Sequence, residues 1–159
     1  MNETVGQILE SRLGKELSDD EAGELAGLMQ LRDLSGGEYL ISEGTVDDSL
    51  YLVVDGNIEV VKRTGNDGIS SIAIIREGDL AGELSFIDGE THTVGLRALS
   101  DIKVLGLTRE RFEAVIDHNP RLVYKVMRAV ARSAHRIMHQ MNQEFVELNN
   151  YIFKQHGRY

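Results

Sequence analysis

The stretch that decides the fold is residues 37–61, GEYLISEGTVDDSLYLVVDGNIEVV. It alternates short runs of β-branched and aromatic residues with glycines and acidic loops, which is typical of short strands joined by tight turns. The Asp55-Gly56 pair within it predicts a hairpin between two of these strands. From Gly36 to Gly106 the same pattern continues and holds 11 of the 16 glycines of the chain. Such regular punctuation indicates a small β barrel or jelly roll.

The predicted strands are all short and rich in valine, isoleucine, leucine or tyrosine. They cover residues 39–41, 50–54, 58–61, 72–75, 94–99 and 102–107. The four residues 65–68, Gly-Asn-Asp-Gly, mark another turn within this region.

Helical patterns flank the strands on the N-terminal side. Residues 3–31 carry apolar side chains at helical spacing, with Val5, Ile8, Leu9 and Leu13 on one face. Ser18 and Glu21 have the spacing of a capping box, which predicts that a second helix begins there.

A long helix is predicted at the C-terminal end. Asn119-Pro120 begins it, because proline at the first helical position loses no hydrogen bond. No helix breaker follows until Gly157, so the helix is about 36 residues or about 54 Å long. We therefore divide the chain into residues 1–118, helices plus a β roll, and residues 119–156, the long helix.

Composition restricts the class of protein. The chain has 159 residues and a formal net charge of −9. It contains no cysteine, which excludes disulfides and thiolate chemistry. Residues 1–120 contain 10 Lys and Arg against 24 Asp and Glu, so nonspecific nucleic-acid binding is not expected. Residues 121–159 contain 7 against 2, which fits a solvated helix face or an acidic partner. Without a signal peptide or a long apolar run, the sequence predicts a cytoplasmic protein with no membrane contact.

The spaced glycines and the strands between them resemble the cyclic nucleotide-binding domain family, in its catabolite-activator-like form. The likeness covers about residues 30–140 and includes the family's structural glycines and their companion acid. These match Gly37, Glu43, Gly44, Gly56, Gly78 and Gly82. The resemblance implies a mainly β fold, a cyclic-nucleotide-binding-type roll with N-terminal helices and a long C-terminal dimerisation helix. It also implies a nucleotide ligand, with no cofactor.

Residues 78–89, GDLAGELSFIDG, resemble the start of the family's phosphate-binding cassette. In the family, backbone N–H groups of this segment face the cyclic phosphate, and the acid that matches Glu83 accepts a hydrogen bond from the ribose. The resemblance implies a ligand site formed by cassette residues and a helix residue: Gly82, Glu83, Leu84, Ser85, His92, Thr93 and Arg132. For Glu83, a solvated acid at a helix start is the alternative interpretation.

The cassette departs from the family where an arginine is expected to pair with the phosphate. The position is occupied by His92, between Thr91 and Thr93. Histidine with an ordinary pKa near 6.5 is mostly neutral at neutral pH, whereas a guanidinium is a permanent bidentate partner. His92 is therefore either a polar rim residue or a weaker phosphate contact. Arg132 or Arg136 on the long helix could replace the missing arginine.

Neither a metal centre nor a catalytic set is expected. His135 and His139 have the i, i+4 spacing of metal ligands, but no third ligand accompanies them in the sequence. Ser49 and Ser85 have no histidine close by in sequence to activate them. We therefore expect a non-enzymatic sensor that is weak or altered for cyclic AMP. The alternatives are a sensor for another nucleotide or an acidic metabolite, and a degenerate roll that serves only as a scaffold.

The long helix carries an apolar stripe that the roll alone is too small to cover. Its members recur at spacings of three and four: Val130, Ala134, Ile137, Met141, Phe145, Leu148 and Ile152. Pairs of them are 11 residues apart, which gives a seam that is straight or slightly right-handed. The stripe predicts a homodimer; a helix folded back on its own roll is the alternative. Because only residues 157–159 follow the helix, no DNA-binding domain is expected.

Overall fold

The structure is a computed structural model that describes residues 2–156 and their side chains as far as residue 154. In chain order its elements are α1 (Glu3–Glu10), α2 (Asp19–Ala26), β1 (Gln30–Leu34), β2 (Tyr39–Ile41), β3 (Leu50–Asp55), β4 (Ile58–Arg63), β5 (Ile69–Ile75), β6 (Leu80–Ala81), α3 (Glu83–Asp88), β7 (Gly95–Ala98), β8 (Ile102–Leu107), α4 (Arg109–Glu113) and α5 (Pro120–His156). The strands form two antiparallel sheets, β1-β8-β3-β6 and β2-β7-β4-β5. The predicted β roll with flanking helices is confirmed.

Strand β3 shows how the sequence builds two cores. Leu50 and Leu52 belong to the core beneath the helices, whereas Tyr51 and Val53 belong to the core between the sheets. Successive side chains of a strand point to opposite faces, so a strand buried on both faces is apolar throughout. This explains the continuous run Leu-Tyr-Leu-Val-Val.

The turn predicted at Asp55-Gly56 forms, but the hairpin prediction is wrong. Gly56 has a φ of +83°, and a Cβ at this position would lie 2.8 Å from the carbonyl oxygen of Asp101. Glycine is therefore required. However, β3 pairs with β6 and β8, while β4 pairs with β5 and β7. The turn carries the chain from one sheet to the other.

The turn predicted at residues 65–68 is confirmed as a hairpin. Arg63 at the end of β4 stands opposite Ile69 at the start of β5. The Thr64 N–H donates to the carbonyl oxygen of Gly68 at 2.9 Å, which closes the loop.

Both N-terminal helices form, but α1 is shorter than predicted: it ends at Glu10, and Leu13 is buried beyond its end. The capping box is present: the Glu21 N–H donates to the Ser18 hydroxyl at 3.2 Å, and the Ser18 N–H donates to the Glu21 carboxylate at 3.0 Å. The helical prediction is wrong beyond Ala26, because the chain from Gln30 forms β1 and pairs with β8. Only Leu34 of β1 is buried, so the strand has no apolar pattern to reveal it.

Helix α5 begins at the predicted proline. The Leu122 N–H donates to the Asn119 side-chain oxygen at 3.2 Å, which satisfies an amide that the helix leaves free. The helix contains 37 residues, and the predicted end at Gly157 lies outside the described residues. Although α5 is long, neither it nor another helix within residues 2–156 is apolar enough to cross a bilayer.

Candidate functional site

Residues 82–94 connect the two sheets as a turn, the short helix α3 and a loop. Gly82 has a φ of +77°, and a Cβ there would lie 2.9 Å from the carbonyl oxygen of Ser49. Gly89, with a φ of +72°, ends α3. Phe86 is buried against Phe112, with ring centroids 5.2 Å apart. Two left-handed glycines and one aromatic anchor thus fix the position of this segment.

A cavity of about 410 Å³ lies between this segment, the roll and α5. It brings together six of the predicted site residues: Gly82, Glu83, Leu84, Ser85, His92 and Thr93. Three aliphatic residues of the roll also line it, Val60, Ile75 and Leu96, and four residues of α5 face them, Ala134, Ile137, Met138 and Met141. The cassette residues and α5 therefore line the same cavity, and most of its wall is apolar.

The seventh predicted residue, Arg132, does not line this cavity. Its guanidinium donates to the Glu16 carboxylate at 2.8 Å and is half exposed. It lines a separate cleft of about 350 Å³, together with Arg12, Lys15 and Arg136. Arg136, the other candidate for the missing cation, lies 3.4 Å from Asp79. Both arginines are occupied outside the site.

Glu83 is buried rather than solvated, with 4% of its surface exposed. The Ser133 hydroxyl on α5 donates to Glu83 Oε1 at 3.0 Å. Burial raises the pKa of the Glu83 carboxyl, although its own N–H, Ser133 and the Arg136 charge oppose the shift. Ser133 was not predicted from the sequence. The pattern that points to it is a serine on the same helix face as the buried positions 122, 126, 129 and 130.

His92 is held at four points and is buried, so it is not a solvated rim residue. Because a carbonyl oxygen only accepts, Nε2 carries the hydrogen and donates to the Asp47 carbonyl at 2.8 Å. Nδ1 lies 3.2 Å from the Ser85 hydroxyl oxygen, within hydrogen-bond distance. The His92 N–H donates to the Thr45 carbonyl, and the His92 carbonyl accepts from the Gly44 N–H. His92 therefore fastens the loop of residues 44–47 to the segment.

The contact between Ser85 and His92 corrects the expectation that no histidine accompanies Ser85. The two residues are seven positions apart, and the turn that follows α3 brings their side chains together. Both side chains are nearly fully buried. The far nitrogen of the imidazole is bonded to a backbone carbonyl and not to a carboxylate. The pair thus lacks the acidic orienting group of a hydrolytic triad.

The lining of the cavity is acidic. Glu83, Asp88 and Glu90 all contribute, and within the described part of the chain its lining contains neither lysine nor arginine. Lys62 reaches the edge, where its ammonium donates to the Thr93 carbonyl at 2.7 Å and to the Glu43 carboxylate at 2.8 Å. Lys62 is therefore already paired with an acid outside the lining.

The Glu83→Gln variant is expected to be more stable than the wild type at neutral pH. A carboxyl whose pKa is raised on folding destabilises the fold as pH rises above its unfolded value, near 4.5, and most above its folded pKa. Glutamine keeps an oxygen that can accept from Ser133 but carries no charge. Thermal unfolding across pH should show a higher midpoint at neutral pH and no advantage below about 4.5.

The matched control for this variant is Glu90→Gln, which removes the same charge from an exposed position. Its unfolding midpoint should follow that of the wild type at every pH. Equal midpoints for Glu83→Gln and the wild type at neutral pH would contradict the destabilising role of the buried charge.

Comparison with known proteins agrees with this geometry. The family model described as the cyclic nucleotide-binding domain matches residues 31–119, more than half of the chain. The neuropathy target esterase sws of Drosophila melanogaster is 28% identical over 137 residues, which cover 82% of this chain but 10% of the esterase. The chain thus spans about one tenth of the length of that curated relative.

Two solved structures show the same fold. A cyclic nucleotide-binding domain from Methylobacillus flagellatus KT superposes with a TM-score of 0.82 at 26% identity, over 90% of this chain and 83% of that one. The regulatory subunit of a cAMP-independent protein kinase A from Trypanosoma cruzi, bound to guanosine, has a TM-score of 0.71 at 21% identity, over 91% of this chain and 50% of that one. The second likeness concerns the fold alone.

Proposed function

Because this chain belongs to the cyclic nucleotide-binding domain family, we propose that it is a non-enzymatic regulatory module that senses a small molecule in the cavity between its roll and α5. The observation that carries the proposal is the shared lining, since the cassette and four residues of α5 face the same space. A ligand in this space contacts the roll and the helix at once. Its binding free energy can therefore bias the position of α5.

We expect cyclic AMP to bind weakly or not at all. The charge-assisted pair that an arginine would make with the phosphate is worth about 1.5–3 kcal/mol, a factor on the order of 10–100 in affinity. His92 cannot replace it, because both of its ring nitrogens are engaged by Asp47 and Ser85. The Trypanosoma cruzi regulatory subunit, described as cAMP-independent and bound to guanosine, offers a precedent for this fold.

Titration calorimetry with cyclic AMP at neutral pH tests this expectation. A submicromolar dissociation constant would contradict it and would indicate that another cation, Arg136 foremost, rotates into the cavity. Cyclic GMP serves as a parallel ligand with the same phosphate and a different base.

A homodimer through the distal part of α5 completes the proposal. Val130 is fully buried within this chain, and Ala134, Ile137 and Met141 are half-buried over the cavity. The remaining stripe residues, Phe145, Leu148 and Ile152, are 64%, 57% and 44% exposed. A second copy can cover this part with its own identical stripe. The back-folded alternative accounts only for the stripe residues before Phe145. In the proposed arrangement the first part of α5 packs on its own roll, and the distal part packs on the second copy.

A roll that binds no ligand remains the second candidate function, a scaffold for protein–protein interaction. The contacts of His92 favour it, because both ring nitrogens bond within the chain and neither is left to meet a phosphate. A ligand that binds only the folded state raises the unfolding midpoint. A thermal-shift panel of cyclic mono- and dinucleotides and nucleosides separates the two: a scaffold predicts no shift with any of them and an intact dimer.

A further inference from the structure

The charges around the cavity indicate which chemical class of ligand it accepts. Glu83 lies buried at its inner wall, while Asp88 and Glu90 line it from exposed positions. Like charges repel strongly where little water separates them. A cyclic phosphate entering this site would meet three carboxylates, with no lysine or arginine from the described lining opposite it.

Each nearby cation pairs with an acid outside the lining, although the Arg136 charge also acts on Glu83. Lys62 pairs with Glu43 at 2.8 Å, and Arg132 pairs with Glu16 at 2.8 Å. Arg136 lies 3.4 Å from Asp79 and lines the separate basic cleft. Moving any of them into the cavity would break an ion pair.

The remaining polar groups of the lining can form hydrogen bonds with hydroxyl groups of a ligand. One oxygen of Glu83 accepts from Ser133, and a carboxyl group has further acceptor sites in either protonation state, so capacity is left for donors of a ligand. Thr91 and Thr93 at exposed positions of the lining add hydroxyls without charge. Between these groups, the aliphatic residues of the roll and of α5 form two facing apolar walls. A ring can stack between such walls while its hydroxyls reach Glu83.

We propose that the cavity binds an uncharged nucleoside and discriminates against the corresponding cyclic nucleotide. This inference rests on the proposed sensing function, and it assigns the ligand class that the family membership leaves open. The sugar hydroxyls donate to Glu83, the base lies between the apolar walls, and the absence of a phosphate avoids repulsion by Asp88 and Glu90. An acidic metabolite is disfavoured by the same charges.

Matched pairs of ligands provide the test, measured by calorimetry on the full chain. Adenosine is compared with cyclic AMP, and guanosine with cyclic GMP, so that each pair shares its base and differs in the phosphate. The nucleoside should bind at least about tenfold more tightly than its cyclic nucleotide. The difference should shrink as salt screens the charges of Asp88 and Glu90. Tighter binding of both cyclic nucleotides would overturn the inference but leave the sensing function intact.

A charge reversal at the rim makes the test specific to this site. Glu90→Lys should improve the affinity for the cyclic nucleotide by about tenfold or more while it changes nucleoside affinity little. The control, Glu10→Lys, makes the same change of net charge at an exposed residue outside the lining and should leave both affinities unchanged. Equal gains in the two variants would show that net charge alone is responsible and would overturn the inference. If neither ligand of either pair binds, the inference and the proposed sensing function both fail.

Discussion

In the proposed homodimer, replacing Phe145 with glutamate is expected to dissociate the two copies into monomers at micromolar concentration. Phe145 is 64% exposed on α5, in the distal part of the stripe with Leu148 and Ile152. In the proposed dimer the interface is formed by this distal part, because Val130 is already fully buried within its own chain. By symmetry one substitution removes two buried phenylalanines, about 3–6 kcal/mol together, or roughly 100–10,000-fold in the dissociation constant.

The experiment is sedimentation or light scattering over a range of concentrations. Val146→Glu is the matched control, because Val146 is 54% exposed beside Phe145 but lies off the stripe. The control should remain dimeric, and both variants should keep the wild-type circular dichroism, since neither side chain is part of the core. A chain that ends at Gln140 should also be monomeric. A wild-type protein that is monomeric at tens of micromolar would refute the dimer.

The second large effect is expected from Gly82→Ala. Gly82 begins α3 with a φ of +77°, where an L-residue with a Cβ is strained by about 1–2 kcal/mol. Its Cβ would also meet the Ser49 carbonyl oxygen at 2.9 Å, which is backbone and cannot move aside cheaply. We expect a loss of about 2–4 kcal/mol in the free energy of unfolding. For a chain of this size, the melting temperature should fall by roughly 5–15 °C.

Gly6→Ala is the control for this substitution. Gly6 lies inside α1, and a Cβ there would meet nothing within 4 Å. Alanine favours helix over glycine by about 0.5–1 kcal/mol, so this variant should be as stable as the wild type or more stable. A Gly82→Ala variant that unfolds at the wild-type temperature would show that the cassette turn tolerates a side chain and is not fixed as described.

The position of the turn also connects stability with binding. Shifting Gly82 displaces Glu83, whose carboxylate receives the Ser133 hydroxyl, and Ser85, which holds His92. We therefore expect Gly82→Ala to weaken nucleoside binding even at temperatures where the protein remains folded.

Several features that depend only on neighbours in the chain followed from the sequence. The capping box of Ser18 and Glu21, the first turn of α5 at Pro120 and the hairpin at residues 65–68 all rest on contacts within four residues. The strands that are buried, such as β3, were predicted because burial imposes an apolar pattern. Six residues that line the cavity were named through the family resemblance, whereas Asp88 and Glu90 were not.

The tertiary structure decided what depends on residues far apart in the chain. Strand β1 is an almost fully exposed, polar segment that exists through its pairing with β8, more than sixty residues later. The Asp55-Gly56 turn looks like a hairpin locally, yet the partners of β3 and β4 place these strands in different sheets. Glu83 becomes a buried acid only because Ser133 and α5 cover it, and His92 becomes a fastening residue only because the Asp47 carbonyl lies opposite its ring. Hydrogen bonds and burial of this kind depend on which elements the fold brings together. Local sequence patterns therefore do not predict them.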